Sequence, residues 1–268
     1  HGHAESWVPL GEIFADHVNV HVYVDEVIGL NAETKTIHGA SGTTYKYDIL
    51  VMALGVVTTY FGVPGLETYA YGIKNVEEIH RLKQRLFIDI AEKGSLDKNY
   101  VVIGAGPTGI ELSAAIGTYI KRLCRHYGVN KHRVRVRLIE AAPRVLPRSH
   151  QATSKRVTKR LKRLGVSVEV NKRVQRENAH ELIVSGSPIE SHTVIWTSGV
   201  TNHPLYAAHP NIFTLAANGR VVVDDYLQAS KDVYVIGDNA ETPFTGLAQT
   251  AIHDALTVTR NLERMKGG

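Results

Sequence analysis

One cysteine, Cys124, stands in 268 residues, and that scarcity removes whole classes of chemistry. A single thiol makes no intramolecular disulfide and no CxxC redox pair, so dithiol reduction within the chain is excluded. Cys124 falls beside Ile120 and Leu123 in a helix-forming stretch, which reads as a buried, inert thiol. Fourteen histidines include no HExxH or other metal-ligand spacing, so no metal centre is expected. No apolar run approaches the ~20 residues of a membrane-spanning helix, and the longest, Ile49 to Val57, suits a buried strand. Aromatic residues, at 7%, do not interleave with the basic ones as on a nucleic-acid surface. The densest basic run, Lys155 to Arg163, spaces Val157, Leu161 and Leu164 at helical intervals and reads as the solvated face of a helix rather than a nucleic-acid patch.

What is present is concentrated in Asn99 to Leu112, NYVVIGAGPTGIEL. An apolar strand there runs through Gly104-Ala105-Gly106-Pro107-Thr108-Gly109 into a helix with an Ile110, Ala114, Ala115, Tyr119 face. That context makes GxGxxG a dinucleotide-phosphate cradle. Gly104 serves the tight turn, Gly106 admits a pyrophosphate to the backbone, and Gly109 lets the helix pack closely on the sheet. The helix N-terminus then faces the anion. The next strand, Arg133 to Glu140, ends on an acid where a ribose-binding carboxylate belongs. A carboxylate accepts from a free 2′-hydroxyl and repels a 2′-phosphate, which favours NAD(H). The separation from Gly104 exceeds the usual ~20 residues, consistent with a long helix and loop through Thr118 to His132. Arg144 is the counter-indication, because an arginine near the ribose suits a 2′-phosphate, and a solvated strand end is the plain alternative for Glu140.

Around this core the patterning predicts an α/β protein with parallel sheets. Residues 17 to 53 read as a β meander, including a half-buried strand over Val18 to Val24 with His21 outward. Apolar strands are expected at Ile49 to Leu54, Val221 to Val223 and Val233 to Ile236. Helices are expected at Val76 to Glu92 and Gly246 to Arg264, and a second meander from Val166 to Trp196. The chain opens His1-Gly2-His3 with no strand-loop-helix pattern, which suggests a piece of a longer protein.

The segments YDILVMALG (Tyr47 to Gly55), VVIGAGPTGIEL, VIWTSGV (Val194 to Val200), VYVIGD (Val233 to Asp238) and GLAQTA (Gly246 to Ala251) together resemble type II NADH dehydrogenases. These are FAD-dependent NADH:quinone oxidoreductases of the pyridine nucleotide-disulfide oxidoreductase superfamily. The resemblance implies a two-dinucleotide-binding, Rossmann-like flavoprotein fold, with an NAD(H) domain over 71–200 inserted in an incomplete FAD domain made of 1–70 and 201–268. It implies FAD and NAD(H) as cofactors and a quinone as electron acceptor. It also implies a membrane surface at the inner, cytoplasmic face of the cell membrane for the full-length protein, with a homodimer among the assemblies allowed and no nucleic-acid partner.

Site residues follow from the same match. Asp238 would accept a hydrogen bond from the flavin ribityl chain, with Gly55 and Gly237 at neighbouring strand ends. The amides of Leu247, Ala248 and Gln249 would face the N1/O2 edge of the reduced flavin. Glu111, placed in the first turn of the cradle helix, matches a glutamate that contacts the nicotinamide, while Thr197, Ser198 and Gly199 would form the second strand-end contact. Three departures stand out. No second GxGxxG is present for the adenosine half of FAD, so flavin binding by this chain is expected to be impaired. Ala53-Leu54-Gly55 replaces the usual Ala-Thr-Gly, and Ile252-His253-Asp254 replaces glutamines near the quinone motif. The family's amphipathic C-terminal anchor has no counterpart before Gly268. Two rival readings stay open: a flavin reductase serving a ferredoxin or rubredoxin, and a redox-silent NAD(H)-binding module.

Overall fold

The computed structural model describes residues 9–91, 97–126, 128, 134–243 and 245–267. Two compact units emerge, one from the residues up to Gly55 with those from His203 onward, the other from Val56 to Asn202. The first unit begins with a meander of β1 (Val27–Asn31), β2 (Thr36–Gly39) and β3 (Thr44–Lys46), antiparallel and in that order. Its first turn is set by Asn31, whose side-chain oxygen accepts the Thr34 N–H at 3.0 Å. The strand expected over Val18 to Val24 does not form. Val18 is 95% and Val24 100% exposed, and the segment has no ladder partner among the described residues. Alternation specifies a strand only where a neighbouring strand and an apolar layer receive it. This segment is fastened instead at Asp25, which accepts from the Ser41 hydroxyl at 2.6 Å and the Tyr45 hydroxyl at 2.9 Å. Those bonds, Ser41 foremost, hold the Asp25 carboxyl below its usual range. The next strand, β4 (Leu50–Met52), leaves the meander.

The second unit is entered and left through an antiparallel pair, β5 (Val56–Thr58) with β13 (Val200–Asn202). Between them lie α1 (Val76–Ala91), β6 (Asn99–Ile103), α2 (Pro107–His126), β7 (Arg135–Ile139), α3 (Gln151–Leu164), β8 (Val166–Glu169), β9 (Val174–Glu177), β10 (Glu181–Val184), β11 (Ser187–Glu190) and β12 (Thr193–Trp196). The parallel sheet has the order β12-β6-β7-β8, and β9 to β11 form a separate antiparallel meander. The expected second meander is therefore shorter than Val166 to Trp196. Its first and last strands belong to the parallel sheet, as the four fully buried residues of β12 require.

Period-two alternation sorts β6 into two cores. Tyr100 and Val102 pack with Ile116, Ile120 and Leu123 of α2 and Leu161 of α3, whereas Val101 and Ile103 pack with Val174, Leu182 and Ile189 of the meander. Cys124 is buried in the helical core, where desolvation pushes its thiol pKa up. The basic helix α3 keeps its cations in water and buries Leu161; Gly165, at φ 89°, caps it through its N–H to the Leu161 and Lys162 carbonyls. Glu92 and Arg133, included in the expected elements, lie outside the described residues.

The chain then returns to the first unit. There β14 (Gln228–Ser230) pairs antiparallel with β15 (Val233–Val235), and β15 pairs parallel with β4. The expected strand Val221 to Val223 reduces to single bridges from Val221 to Leu215 and Ala240, because Val221 is buried while Val222 is exposed with no ladder beside it. The last helix, α4 (Ala248–Gly267), covers Tyr234 with Val258. Among the described residues no helix is long and apolar enough to cross a membrane, and no group of three metal-ligating side chains occurs.

A buried acid gives the second unit a pH dependence. Glu177 of β9 is 7% exposed, and its Oε2 has no hydrogen-bond partner among the described residues. Burial raises its pKa from 4.5 to about 8. The folded chain thus keeps a proton that the unfolded chain releases, so stability falls as pH rises from 4.5 to about 8. Glu177→Gln removes that loss. Chemical denaturation at pH 5, 7 and 9 should show the variant gaining on the parent by on the order of a few kcal/mol across the window. Parallel stability curves for the two proteins would refute it.

Candidate nucleotide sites at the strand ends

The sheet order puts β12 on one side of β6 and β7 with β8 on the other, so the carboxyl ends of β6 and β12 flank the point where chain progression reverses. Here β6 stops at Gly104, whose φ of +103° lies in the region that favours glycine. A Cβ on Gly104 would sit 2.4 Å from Ser198 Oγ and 3.0 Å from its backbone. Pro107 opens α2 at a position whose missing N–H costs nothing. At Gly109 a Cβ would lie 1.8 Å from the Gly104 carbonyl oxygen. Gly106 differs: a Cβ there meets nothing within 4 Å. The loop backbone is thus closed toward the protein at Gly104 and Gly109 and open at Gly106, with Thr108 and Pro107 exposed beside it.

Glu140, immediately after β7, reaches back to this loop. Its Oε2 accepts the Ala105 N–H at 2.7 Å and its Oε1 the Ala142 N–H at 2.8 Å. The Leu146 N–H donates to the Ala105 carbonyl at 2.9 Å, so both polar groups of Ala105 are held. Arg144 is engaged elsewhere: its guanidinium donates to the carbonyls of Leu146, Pro147 and Ser149 and to Ser154 Oγ. It is a loop staple. Thr197 ties the ends of the adjacent strands β12 and β6, its N–H and hydroxyl donating to the Ile103 carbonyl at 2.9 and 2.7 Å. Ser198 is exposed beside Gly104, while Gly199 is buried with room for no side chain, a Cβ lying 2.5 Å from the Thr59 carbonyl oxygen. Glu111 is exposed and is the fifth residue of α2, one turn further in than the first-turn placement expected, because the helix starts at Pro107.

The first unit holds a second cluster of strand ends. Ala53, Gly55, Gly237, Asp238, Leu247 and Ala248 line a cavity of about 380 Å³. Gly55 and Gly237 have φ of +69° and +68°. Two polar side chains fix them, Asn239, which the sequence did not single out, and Asp254, noted there only as a departure from the quinone motif. Asn239, fully buried, accepts the Gly55 N–H at 2.8 Å and donates to its carbonyl. Asp254, 3% exposed on α4, accepts the Gly237 N–H at 3.0 Å. The signals were there in outline: Asn239 directly follows the Gly-Asp strand end, and Asp254 is the lone acid between Ala248 and Leu262. Asp238 is half-buried at this cavity, its carboxylate without a hydrogen bond or ion pair to the described residues. Ala248 and Gln249 open α4, where helix geometry leaves N–H groups for an acceptor; Gln249 is exposed and does not line the cavity.

These features fit the two groups that the sequence suggested. The open backbone at Gly106, with a helix start and a carboxylate beside it, suits a pyrophosphate and ribose. An unpartnered carboxylate between two glycine strand ends and a helix start suits a polyol chain and an electron-rich ring edge.

Known proteins resemble this chain over most of its length. A type II NADH:quinone oxidoreductase of Staphylococcus haemolyticus is 30% identical over 262 residues, 91% of this chain and 64% of that protein. One of Staphylococcus epidermidis is 30% identical over 268 residues, 93% of this chain and 66% of its own length. The chain therefore spans just under two thirds of these relatives. Among solved structures, NDH2 from Plasmodium falciparum in complex with NADH superposes with a TM-score of 0.73 at 25% identity, covering 81% of this chain and 49% of that one. A ferredoxin reductase from Rhodopseudomonas palustris shares the fold, with a TM-score of 0.77 at 23% identity over 94% of this chain and 60% of that one. With residues 3–255 also matched by the model of the pyridine nucleotide-disulphide oxidoreductases, the chain belongs to that family.

Proposed function

We propose that this chain binds NADH in its second unit, contributes to an FAD site in its first, and acts as an NADH:quinone oxidoreductase. The observation that carries the reading is the Gly104–Gly109 loop, sealed by backbone contacts at both ends yet open at Gly106. The division at Gly55 and Asn202 supports an NAD(H) domain inserted between two flavin-binding segments, with its start at Val56 rather than the expected 71 and its end within two residues of the expected 200. The two relatives named as type II NADH:quinone oxidoreductases support quinone as the acceptor, and with it a membrane surface for the full-length protein.

A bound flavin supplies the hydride acceptance and onward electron transfer, so the protein needs no acid-base dyad of its own. The chain's residues bind and orient. Amides at the start of α2 receive the pyrophosphate, and Glu140 accepts from a ribose hydroxyl with the lone pairs that Ala105 and Ala142 leave free. Glu111 and Ser198 border the nicotinamide half. In the other unit Asp238 would accept from the flavin polyol, and the N–H groups of Leu247 and Ala248, which line the cavity, would stabilise negative charge on the ring edge, with Gln249 outside it. Flavin affinity is low in this chain. β4 has a strand on one side alone among the described residues, an edge suited to one more strand, and the exposed Val51 in it and Ile49 before it leave apolar surface uncovered beside that edge.

Three measurements test this reading. Gly106→Val should fold like the parent and lose NADH binding by titration calorimetry, whereas Gly109→Val should fail at folding because its side chain meets the Gly104 carbonyl; normal NADH affinity in folded Gly106→Val would reject the cradle. For Glu140→Ala, the preference for NADH over NADPH should drop about ten-fold or more, and an unchanged ratio would reduce Glu140 to a loop brace. Finally, incubation with excess FAD followed by anaerobic NADH should give absorbance near ~450 nm that bleaches and recovers on adding a quinone. NADH binding with no bleaching at saturating FAD would favour a redox-silent module, and bleaching reversed by ferredoxin but not by quinone would favour a protein acceptor.

A further inference from the structure

Between α3, the Pro143–Val145 loop and β8 lies an open groove of about 1040 Å³, near the upper end of the usual range for small-molecule sites. Lys155, Lys159, Lys162 and Arg163 of α3 border it together with Arg144, and no acidic side chain is among its lining residues. Five cations facing one concavity repel one another and concentrate a positive potential that an anion relieves. The floor is different in kind. Val168 and Val170, both half-buried, line it over the buried Val145, so the cations rim an apolar surface. The wall is also preformed. Arg144 is pinned by the carbonyls of Leu146 and Ser149 at 3.0 and 2.7 Å and by Ser154 of α3 at 2.7 Å, which fixes the loop against the helix.

We propose that this groove binds a monomeric anionic amphiphile, its alkyl body on the valine floor and its phosphate or carboxylate head among the lysines of α3. The mixture decides the class. A purely inorganic anion has no use for the apolar floor, and a nucleic acid would call for stacking aromatics that the lining lacks. Apolar surface of this kind contributes roughly 25 cal/mol per Å² covered, while the rim supplies charge-assisted bonds.

The test is titration calorimetry of the whole chain with dodecyl phosphate below its micelle concentration. Saturable single-site binding is expected, weakened about ten-fold or more in the triple variant Lys155→Gln, Lys159→Gln, Lys162→Gln, whose exposed positions leave the fold intact. Inorganic phosphate and the neutral dodecyl maltoside should each bind far more weakly to the parent chain. Equal affinity in the triple variant, or inorganic phosphate binding as tightly as dodecyl phosphate, would overturn the proposal. So would lysine-dependent sedimentation with phosphatidylglycerol vesicles in the absence of monomer binding, which would mark a membrane-facing surface instead.

Discussion

The helix that follows β6 starts so close to the strand's end that no side-chain carbon fits between them. At Gly109 the space for a Cβ is taken by the Gly104 carbonyl, 1.8 Å away, and by the Thr197 hydroxyl, 2.6 Å away. Everything around the cradle follows from that approach. With α2 seated there, its N-terminal amides lie over the carboxyl ends of β6 and β12, and Gly104 must turn with φ of +103° to connect them. Because β6 is buried on both faces, its end cannot shift to accommodate a bulkier residue without disturbing two cores at once. On the proposed reading, a loop held this closely from both ends has little freedom to lose when a ligand arrives, which limits the ordering cost of binding.

The other unit reaches a comparable strand-end arrangement by different means. There the glycines at 55 and 237 are secured by buried polar side chains, Asn239 and Asp254, rather than by a helix pressed onto a carbonyl. A buried amide or carboxylate is tolerable when its bonds are made. Asn239 bonds both backbone polar groups of one residue, Gly55, and so holds that turn from both sides. Asp238, next to Asn239, has no such partner among the described residues. On the proposed reading, that contrast between neighbours separates the residue that builds the turn from the one left to meet a ligand.

Features that depend on local pattern were legible in the chain itself. The β6–loop–α2 unit, the alternation in β7, the solvated face of α3 and the position of Glu140 all come from short-range periodicity and glycine spacing. Features that depend on a distant partner were not. Val18 to Val24 alternates well but has no strand to pair with, and Val221 to Val223 is apolar but finds only isolated bridges. β8 and β12 resemble meander strands in isolation, and only pairing with β7 and β6 reveals them as parallel. The turn-holding roles of Asn239 and Asp254 were hidden for the same reason: each acts on a glycine remote in sequence, 184 and 17 positions away.

Charged residues near the cradle bear most directly on which nicotinamide cofactor suits it. Arg144 spends its guanidinium on three carbonyls and a hydroxyl, and turning it toward a 2′-phosphate would release the 144–149 loop and its hold on α3. Glu140 is also engaged, yet an ionised carboxylate has about four acceptor positions and two backbone N–H groups occupy only part of them. The carboxylate therefore keeps capacity for a hydroxyl donor, while the guanidinium has little left for an anion. On the proposed reading, selection of NADH rests on this asymmetry in spare hydrogen-bonding capacity, and not on the mere presence of an acid or an arginine beside the ribose.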